Sequence, residues 1–220
     1  MSTPDSDPNS DRDPASESDS TLDSGSSSSD DADADLESSS PSDDEPPAWP
    51  VLESTTEYET GWYDGGYDLV EQPDGSEKRY YWADLPAAVV IVADAGEEIL
   101  FVEQYRPAIQ ETHLELPAGI VEDGESYTAA AARELEEETG FRPSSLALLQ
   151  EYRVATGVLR HNRGVVYAEG LEPGERELDS NEFLEVHAIP KSEALARARK
   201  DPANDSTLSA LLLAREDGLL

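Results

Sequence analysis

The hydrophobic pattern divides this chain in two. Residues 1–47 are Ser, Asp and Pro with almost no apolar side chains, acidic residues from Asp5 to Glu45 and a single base, Arg12. Such a segment has too little apolar surface to offset the entropy lost on ordering. A disordered acidic tail with a solvating or spacer role is expected. From Ala48 onward, apolar residues recur with the spacings of strands and helices.

The aromatic-rich stretches Glu53–Tyr63 and Gly66–Glu71 predict short strands on either side of the turn Asp64-Gly65-Gly66. Pro73-Asp74-Gly75 turns the chain into a third strand, Lys78–Ala83. Ala87–Ala93 reads AAVVIVA, a continuous apolar run that suits a strand buried on both faces. The turn at Ala95-Gly96 leads into its hairpin partner, Glu98–Tyr105, and Glu115–Ile120 predicts a short strand before a glycine-containing loop. Ser126–Glu138 is rich in helix formers and stops before Gly140, a residue type that ends helices in the left-handed conformation. Leu146–Val154, Arg163–Glu169 and Glu185–Ile189 predict further strands, and Ser192–Lys200 and Ser206–Arg215 predict helices separated by Asp201-Pro202. A β-rich start, a central helix and terminal helices make an α+β chain, with residues 48–84 as an N-terminal β subdomain and 85–220 as the main domain.

Charge sharpens this picture. The 220 residues carry a formal net charge of −35, with 50 acidic residues against 15 basic ones, and the only lysines are Lys78, Lys191 and Lys200. A field of that sign disfavours nucleic acid and anionic membranes as partners. It also strains folding through self-repulsion, which fades at about 1 M salt, where the Debye length is about 3 Å. The acidic surplus and the shortage of lysine persist beyond the tail, so the composition reads as adaptation to a salty cytoplasm. An acidic tail in an ordinary cell is the alternative. There is no cysteine, which excludes disulfide and thiolate chemistry, and no apolar run near the 18 or so residues of a membrane span. No secretory signal pattern is visible, so a cytoplasmic location is expected.

The candidate chemistry lies in Gly119–Phe141, GIVEDGESYTAAAARELEEETGF. In a helix, Glu134, Glu137 and Glu138 fall at i, i+3 and i+4 and project within an arc of about 100°. Like charges on one stripe repel. A hard cation such as Mg2+, which takes carboxylate oxygens, waters and phosphates, relieves that repulsion. Arg133 precedes Glu137 by four and can orient a carboxylate, Glu136 points away, and the backbone near Gly119 can offer a carbonyl such as that of Ala118. Three glutamates alone fit a solvated acidic helix better.

The full spacing favours the metal reading. Gly119, five residues, Glu125, seven residues, Arg133-Glu134-Leu135, one residue, Glu137-Glu138, one residue and Gly140-Phe141 form an ungapped pattern that resembles the Nudix box. From about Glu53 to Arg215 the chain is similar to the ADP-ribose pyrophosphatase branch of the Nudix hydrolases. The likeness is carried by Val102-Glu103-Gln104-Tyr105-Arg106, Glu115-Leu116-Pro117-Ala118-Gly119, Gly61-Trp62-Tyr63, Pro73-Asp74-Gly75 and the stretch from Arg176 to Val186.

That resemblance implies a mixed β-sheet sandwiched between helices, with the N-terminal subdomain exchanged across a homodimer. It implies Mg2+, or Mn2+, held by the Ala118 carbonyl, Glu134 and Glu138, with Glu137 sharing a second ion. Glu182 would orient or deprotonate the attacking water, and Arg106 would contact the diphosphate or terminal ribose. Gly119, Thr156 and Gly157 would border the substrate, and Trp62 or Tyr63 of a partner chain would stack on the base. The implied reaction is hydrolysis of ADP-ribose to AMP and ribose 5-phosphate. A GDP- or UDP-sugar as substrate, a non-catalytic nucleotide-sensing module, and a tail that acts as a partner-binding arm are alternatives.

The chain departs from that branch at Ala155-Thr156-Gly157-Val158-Leu159-Arg160-His161-Asn162-Arg163, which lacks the usual proline and carboxylate. Arg160, His161 and Arg163 there are either phosphate or sugar contacts or ordinary loop residues. His113 and His187 read as structural, and Trp49 and Trp82 as packing residues.

Overall fold

A computed structural model describes residues 48–178 and 183–220; the expected acidic tail and Glu182 lie outside them. Three strands open the described chain, β1 (Val51–Glu59), β2 (Asp64–Glu71) and β3 (Glu77–Asp84), and form an antiparallel meander. A larger sheet uses β4 (Ala88–Asp94), β5 (Glu98–Arg106), β6 (Glu111–Glu115) and β7 (Ala118–Ile120) before the helix α1 (Tyr127–Thr139). Next come β8 (Phe141–Arg142), β9 (Ser145–Arg153), β10 (Leu159–Arg160), β11 (Asn162–Glu169), β12 (Glu172–Pro173) and β13 (Leu184–Pro190), then α2 (Lys191–Ala198) and α3 (Asp205–Glu216).

The large sheet runs β13-β5-β4-β11-β9, with β6 added on β5 and β7 on β4. Only the β4–β11 pairing within it is parallel, so the sheet is mixed. The apolar run of β4 explains the layers. Val89, Ile91 and Ala93 pack with Ala130, Ala131 and Leu135 of α1, whereas Val90 and Val92 pack with Ala194 of α2 and Leu211 of α3. A strand covered on both faces needs apolar residues at every position, because alternate side chains point to opposite sides. The expected α+β architecture, a mixed sheet between helices, is therefore what forms.

Two local differences follow from backbone chemistry. Glu115–Ile120 is not one strand: β6 ends at Glu115 on β5, and β7 resumes at Ala118 on β4. The break falls at Leu116-Pro117, where proline has no N–H for a ladder and its carbonyl accepts from Ile91 N at 2.9 Å. The first strand stops at Glu59 instead of Tyr63. There the Thr60 hydroxyl accepts from the backbone N–H groups of Trp62 and Tyr63, and Gly61 adopts φ +82°, which closes a turn.

The loop that departs from the expected family pattern is tied down. Its Leu159-Arg160 pair forms β10, parallel to β3, and Asn162-Arg163 open β11. Arg160 Nη2 donates to Asp68 Oδ2 at 2.5 Å and its guanidinium stacks 4.0 Å over Trp82, whose Nε1 donates to Asp68 Oδ1 at 3.0 Å. Burial works against ionisation of Asp68, but hydrogen bonds from Ser54, Trp82 and Arg160 outweigh it and hold the carboxyl below its usual range. Arg163 pairs with Asp205 at 3.0 Å. Arg160 and Arg163 are thus both engaged in ion pairs within the chain. Trp82 packs as expected, whereas Trp49 is 45% exposed and meets Tyr80 edge-on, 6.0 Å between ring centroids.

His161 is buried with its Nδ1 2.8 Å from the Pro86 carbonyl, and burial lowers its pKa below the ordinary 6.5. A group with a depressed folded pKa resists protonation in the native state. Its contribution is fully present above the unfolded pKa and is lost as pH falls through 6.5 toward the folded value. The stability advantage of the wild type over His161→Asn should therefore shrink between pH 7.5 and pH 5. Parallel urea titrations at the two pH values measure this, and a constant difference would refute it.

Candidate active site

The stripe of glutamates is built by α1 and held by one guanidinium. Ser126 caps the helix, its hydroxyl accepting from Ala129 N at 3.2 Å, and Gly140 ends it in the left-handed conformation at φ +77°. Between these ends, Ala130, Ala131 and Leu135 bury one face, which fixes the rotation of Glu134, Glu137 and Glu138. Arg133 Nη1 donates to Glu134 Oε1 at 2.8 Å and Glu137 Oε2 at 3.2 Å. Its Nε and Nη2 donate to the two oxygens of Glu125 at 3.2 and 3.0 Å, and Nη2 also reaches the Ile120 carbonyl at 2.9 Å. These bonds, the one to Glu125 first, raise the pKa of Arg133 well above its usual value against the opposing effect of burial. The same contact lowers that of Glu125.

Glu138 is only 2% exposed, and its Oε2 accepts from Ala118 N at 3.1 Å. Glu134 lies against the backbone of β7: a Cβ placed on Gly119 would sit 1.8 Å from Glu134 Cδ. Glycine is needed there for close approach, and not for an unusual backbone angle. The result is an all-oxygen donor set with one guanidinium against four carboxyl groups, in a cradle that a methyl group would fill. That set fits a hard divalent cation. Glu134 and Glu138, with the Ala118 carbonyl and Glu137, are the groups placed to hold one.

A cavity of about 770 Å³ opens beside the stripe. Ala118, Gly119, Arg133, Glu134 and Glu137 line it together with Gln104, Tyr105, Arg106, Trp62 and Phe183. It is of a size that takes a small-molecule ligand. Arg106 is there as expected, but its guanidinium is bound to Glu115, with Nη2 2.5 Å and Nε 3.0 Å from Oε2. Trp62 is 66% exposed at the cavity and comes from the same chain, so a partner is not required to bring that aromatic to it. Tyr63 turns edge-on to Tyr58 instead, at 5.9 Å. Thr156 and Gly157 do not line the cavity; they sit in the exposed turn before β10, which pairing with β3 carries elsewhere.

Gln104, Tyr105, Phe183, Ile120 and Glu122 also line the cavity and were not singled out from sequence. Gln104 was the most accessible of them, because it lies two residues from Arg106 on one strand face. The histidines behave structurally: His113 is 4% exposed with Nε2 3.2 Å from Glu111. Among the described residues His187 Nε2 is buried without a hydrogen-bond partner, and its ring lies near Glu103 and Glu185.

Residues 84–211 match the NUDIX domain family. The chain belongs to the Nudix family. It is 36% identical over 129 residues to the ADP-ribose pyrophosphatase of Bacillus subtilis (strain 168), a match covering 57% of this chain and 70% of that one. It is 33% identical over 142 residues to the methanol dehydrogenase activator of Bacillus methanolicus, covering 63% and 77% of the two chains. The solved structure of an ADP compounds hydrolase superposes with a TM-score of 0.72 at 25% identity, covering 79% of this chain and 98% of that one. The chain is thus a Nudix hydrolase, and enzymes of this family generally use a divalent metal.

The Gly119 cradle gives a direct test. In Gly119→Ala the added methyl group must displace the Glu134 carboxylate, the movable end of a flexible side chain, so the fold should survive. We expect the divalent-cation concentration for half-maximal turnover to rise about tenfold or more, the equivalent of one weakened ligand bond of about 1.4 kcal/mol. An unchanged cation requirement would show that Glu134 does not depend on that gap.

Proposed function

We propose that this Nudix enzyme hydrolyses the diphosphate bond of a nucleoside diphosphate sugar in the presence of Mg2+, with Mn2+ as a substitute, and that ADP-ribose is its preferred substrate. Water adds across the bond, so ADP-ribose yields AMP and ribose 5-phosphate with release of protons. The observation that carries this reading is the presence of a carboxylate stripe and Arg106 in the lining of one cavity. The stripe suits a cation and the guanidinium suits a phosphate. Similarity to an ADP-ribose pyrophosphatase and to an ADP compounds hydrolase supports the substrate class.

The chain's own groups divide the work. Glu134, Glu138 and the Ala118 carbonyl bind the metal, with Glu137 and its Arg133 contact at the cavity side. An ion held by these groups would supply Lewis-acid chemistry and positive charge for the phosphates beside this acidic surface. Arg106 offers its remaining N–H groups to the diphosphate. Trp62 offers a flat, exposed ring on which a base can stack. Glu182, three residues before Glu185, orients or deprotonates the attacking water. A purely nucleotide-sensing module has no need of the full set Glu125, Glu134, Glu137 and Glu138, and all four are present.

We further assign residues 48–84 as a dimer-forming β subdomain. Exposed Trp49, Tyr58 and Tyr81 on its strands and flanks supply apolar area for a second copy. The net charge of −35 supports action in a cytoplasm of high salt. Among the described residues no helix is long and apolar enough to cross a membrane.

Incubation with ADP-ribose, a GDP-sugar and a UDP-sugar in molar KCl with Mg2+ tests the assignment. Chromatography should show AMP and ribose 5-phosphate formed fastest, with turnover abolished by a chelator. Faster cleavage of a GDP- or UDP-sugar would replace the substrate, and no cleavage of any of them by folded protein would defeat the proposal.

A further inference from the structure

We infer that Glu115 and Asn204 are positioning residues that aim Arg106 at the substrate's diphosphate, an inference that rests on the substrate class proposed above. Arg106 and Glu115 are not cross-strand partners. The β5–β6 register pairs Arg106 with Glu111 and Val102 with Glu115, so the Arg106 side chain reaches back along the strand to meet Glu115. There a single oxygen, Glu115 Oε2, receives Arg106 Nε at 3.0 Å, Arg106 Nη2 at 2.5 Å and Gln104 Nε2 at 3.3 Å.

The other oxygen is anchored from a different element. Glu115 Oε1 accepts from Asn204 Nδ2 at 3.3 Å. Asn204 is the N-cap of α3, and its Oδ1 accepts from Thr207 N at 2.9 Å and from the Ser206 hydroxyl at 2.8 Å. The amide cannot turn over without giving up both bonds, so its Nδ2 is committed to Glu115. The same helix end is fastened next to Glu115 by Thr207, whose hydroxyl accepts from Leu116 N at 3.1 Å. A path of hydrogen bonds therefore runs from the start of α3 through a Glu115 side chain that is 10% exposed to an Arg106 side chain that is 43% exposed at the cavity.

The electrostatics explain why such a path matters. Arg106 shares its cavity with Glu122, Glu134 and Glu137. An untethered arginine would be drawn onto those carboxylates, two of which, Glu134 and Glu137, are assigned to the cation. Two of its five N–H donors are spent on Glu115, and three remain for phosphate oxygens. A tether and a mere counter-ion give opposite expectations. If Glu115 only neutralised Arg106, removing its charge would strengthen phosphate binding. If it aims Arg106, removing the charge weakens phosphate binding.

The test uses the full chain in molar KCl with Mg2+, comparing wild type with Glu115→Gln, Glu115→Asp and Asn204→Ser. Serine keeps the helix cap but lacks the amide donor. Two quantities are read: KM and kcat for ADP-ribose, and Kd for inorganic pyrophosphate by calorimetry, with Tm as the control. We expect KM and the pyrophosphate Kd to rise about tenfold or more in Glu115→Gln, the scale of one lost charge-assisted hydrogen bond. Both should rise severalfold in Asn204→Ser at near wild-type Tm and kcat, with Glu115→Asp intermediate. An unchanged or tighter pyrophosphate Kd in Glu115→Gln overturns the inference, and if that variant does not fold, an unchanged Kd in Asn204→Ser does so. Wild type that binds pyrophosphate but cleaves no nucleoside diphosphate compound would defeat the substrate class alone, while the pyrophosphate comparison still decides the positioning role.

Discussion

The site depends on one guanidinium held among carboxylates. Arg133 touches Glu125 in the loop before α1, Glu134 and Glu137 on the helix, and the carbonyl of Ile120 at the end of β7. Without it, a stripe of glutamates on a helix would repel and splay. With it, the carboxylates are drawn together, yet its single charge falls short of theirs, and that shortfall is what makes the site receptive to a divalent cation. The motif spacing is the sequence image of this constraint, since Glu125, Arg133, Glu134 and Glu137 must be the types they are for one fork of N–H donors to reach them all.

The sheet supplies what the helix cannot. Because the chain leaves β5 at Glu115 and joins β4 at Ala118, the Ala118-Gly119 backbone arrives beside α1 with its N–H on Glu138 and with no side chain in the way of Glu134. Proline at 117 both forces the strand change and contributes a carbonyl to Ile91. In the lining of the same cavity, β5 ends in Arg106, and Glu115 of β6 and the N-cap of α3 steady it. Cation-seeking and anion-seeking groups are thereby kept apart by separate tethers. In a chain with a net charge of −35, an arginine would otherwise find the wrong partner.

Much of this was legible from sequence because it rests on local periodicity. The AAVVIVA run announced a strand covered on both sides, Ser126 and Gly140 bracketed the helix, and the spacing of Glu134, Glu137 and Glu138 specified one face. What was not legible depends on long-range placement. Nothing local in Arg160, His161 and Arg163 says that Asp68, the Pro86 carbonyl and Asp205 wait for them. Thr156 and Gly157 looked like part of the site, but a two-residue parallel pairing with β3 takes their turn away from it. Trp62 was expected at the cavity through a partner, and the turn closed by Thr60 places the chain's own Trp62 in that lining. Glu115 was visible as part of a motif, yet its tie to Asn204, 89 residues onward, appears only in three dimensions.

The most direct measurement of the central claim is Mn2+ binding followed by electron paramagnetic resonance in molar KCl, without substrate. Wild type should sequester the ion, Arg133→Ala should weaken binding as the carboxylates separate, and the double change Glu134→Gln with Glu138→Gln should leave Mn2+ free. Sequestration by that double variant equal to wild type would contradict the account, because the cation would then reside somewhere other than on this helix.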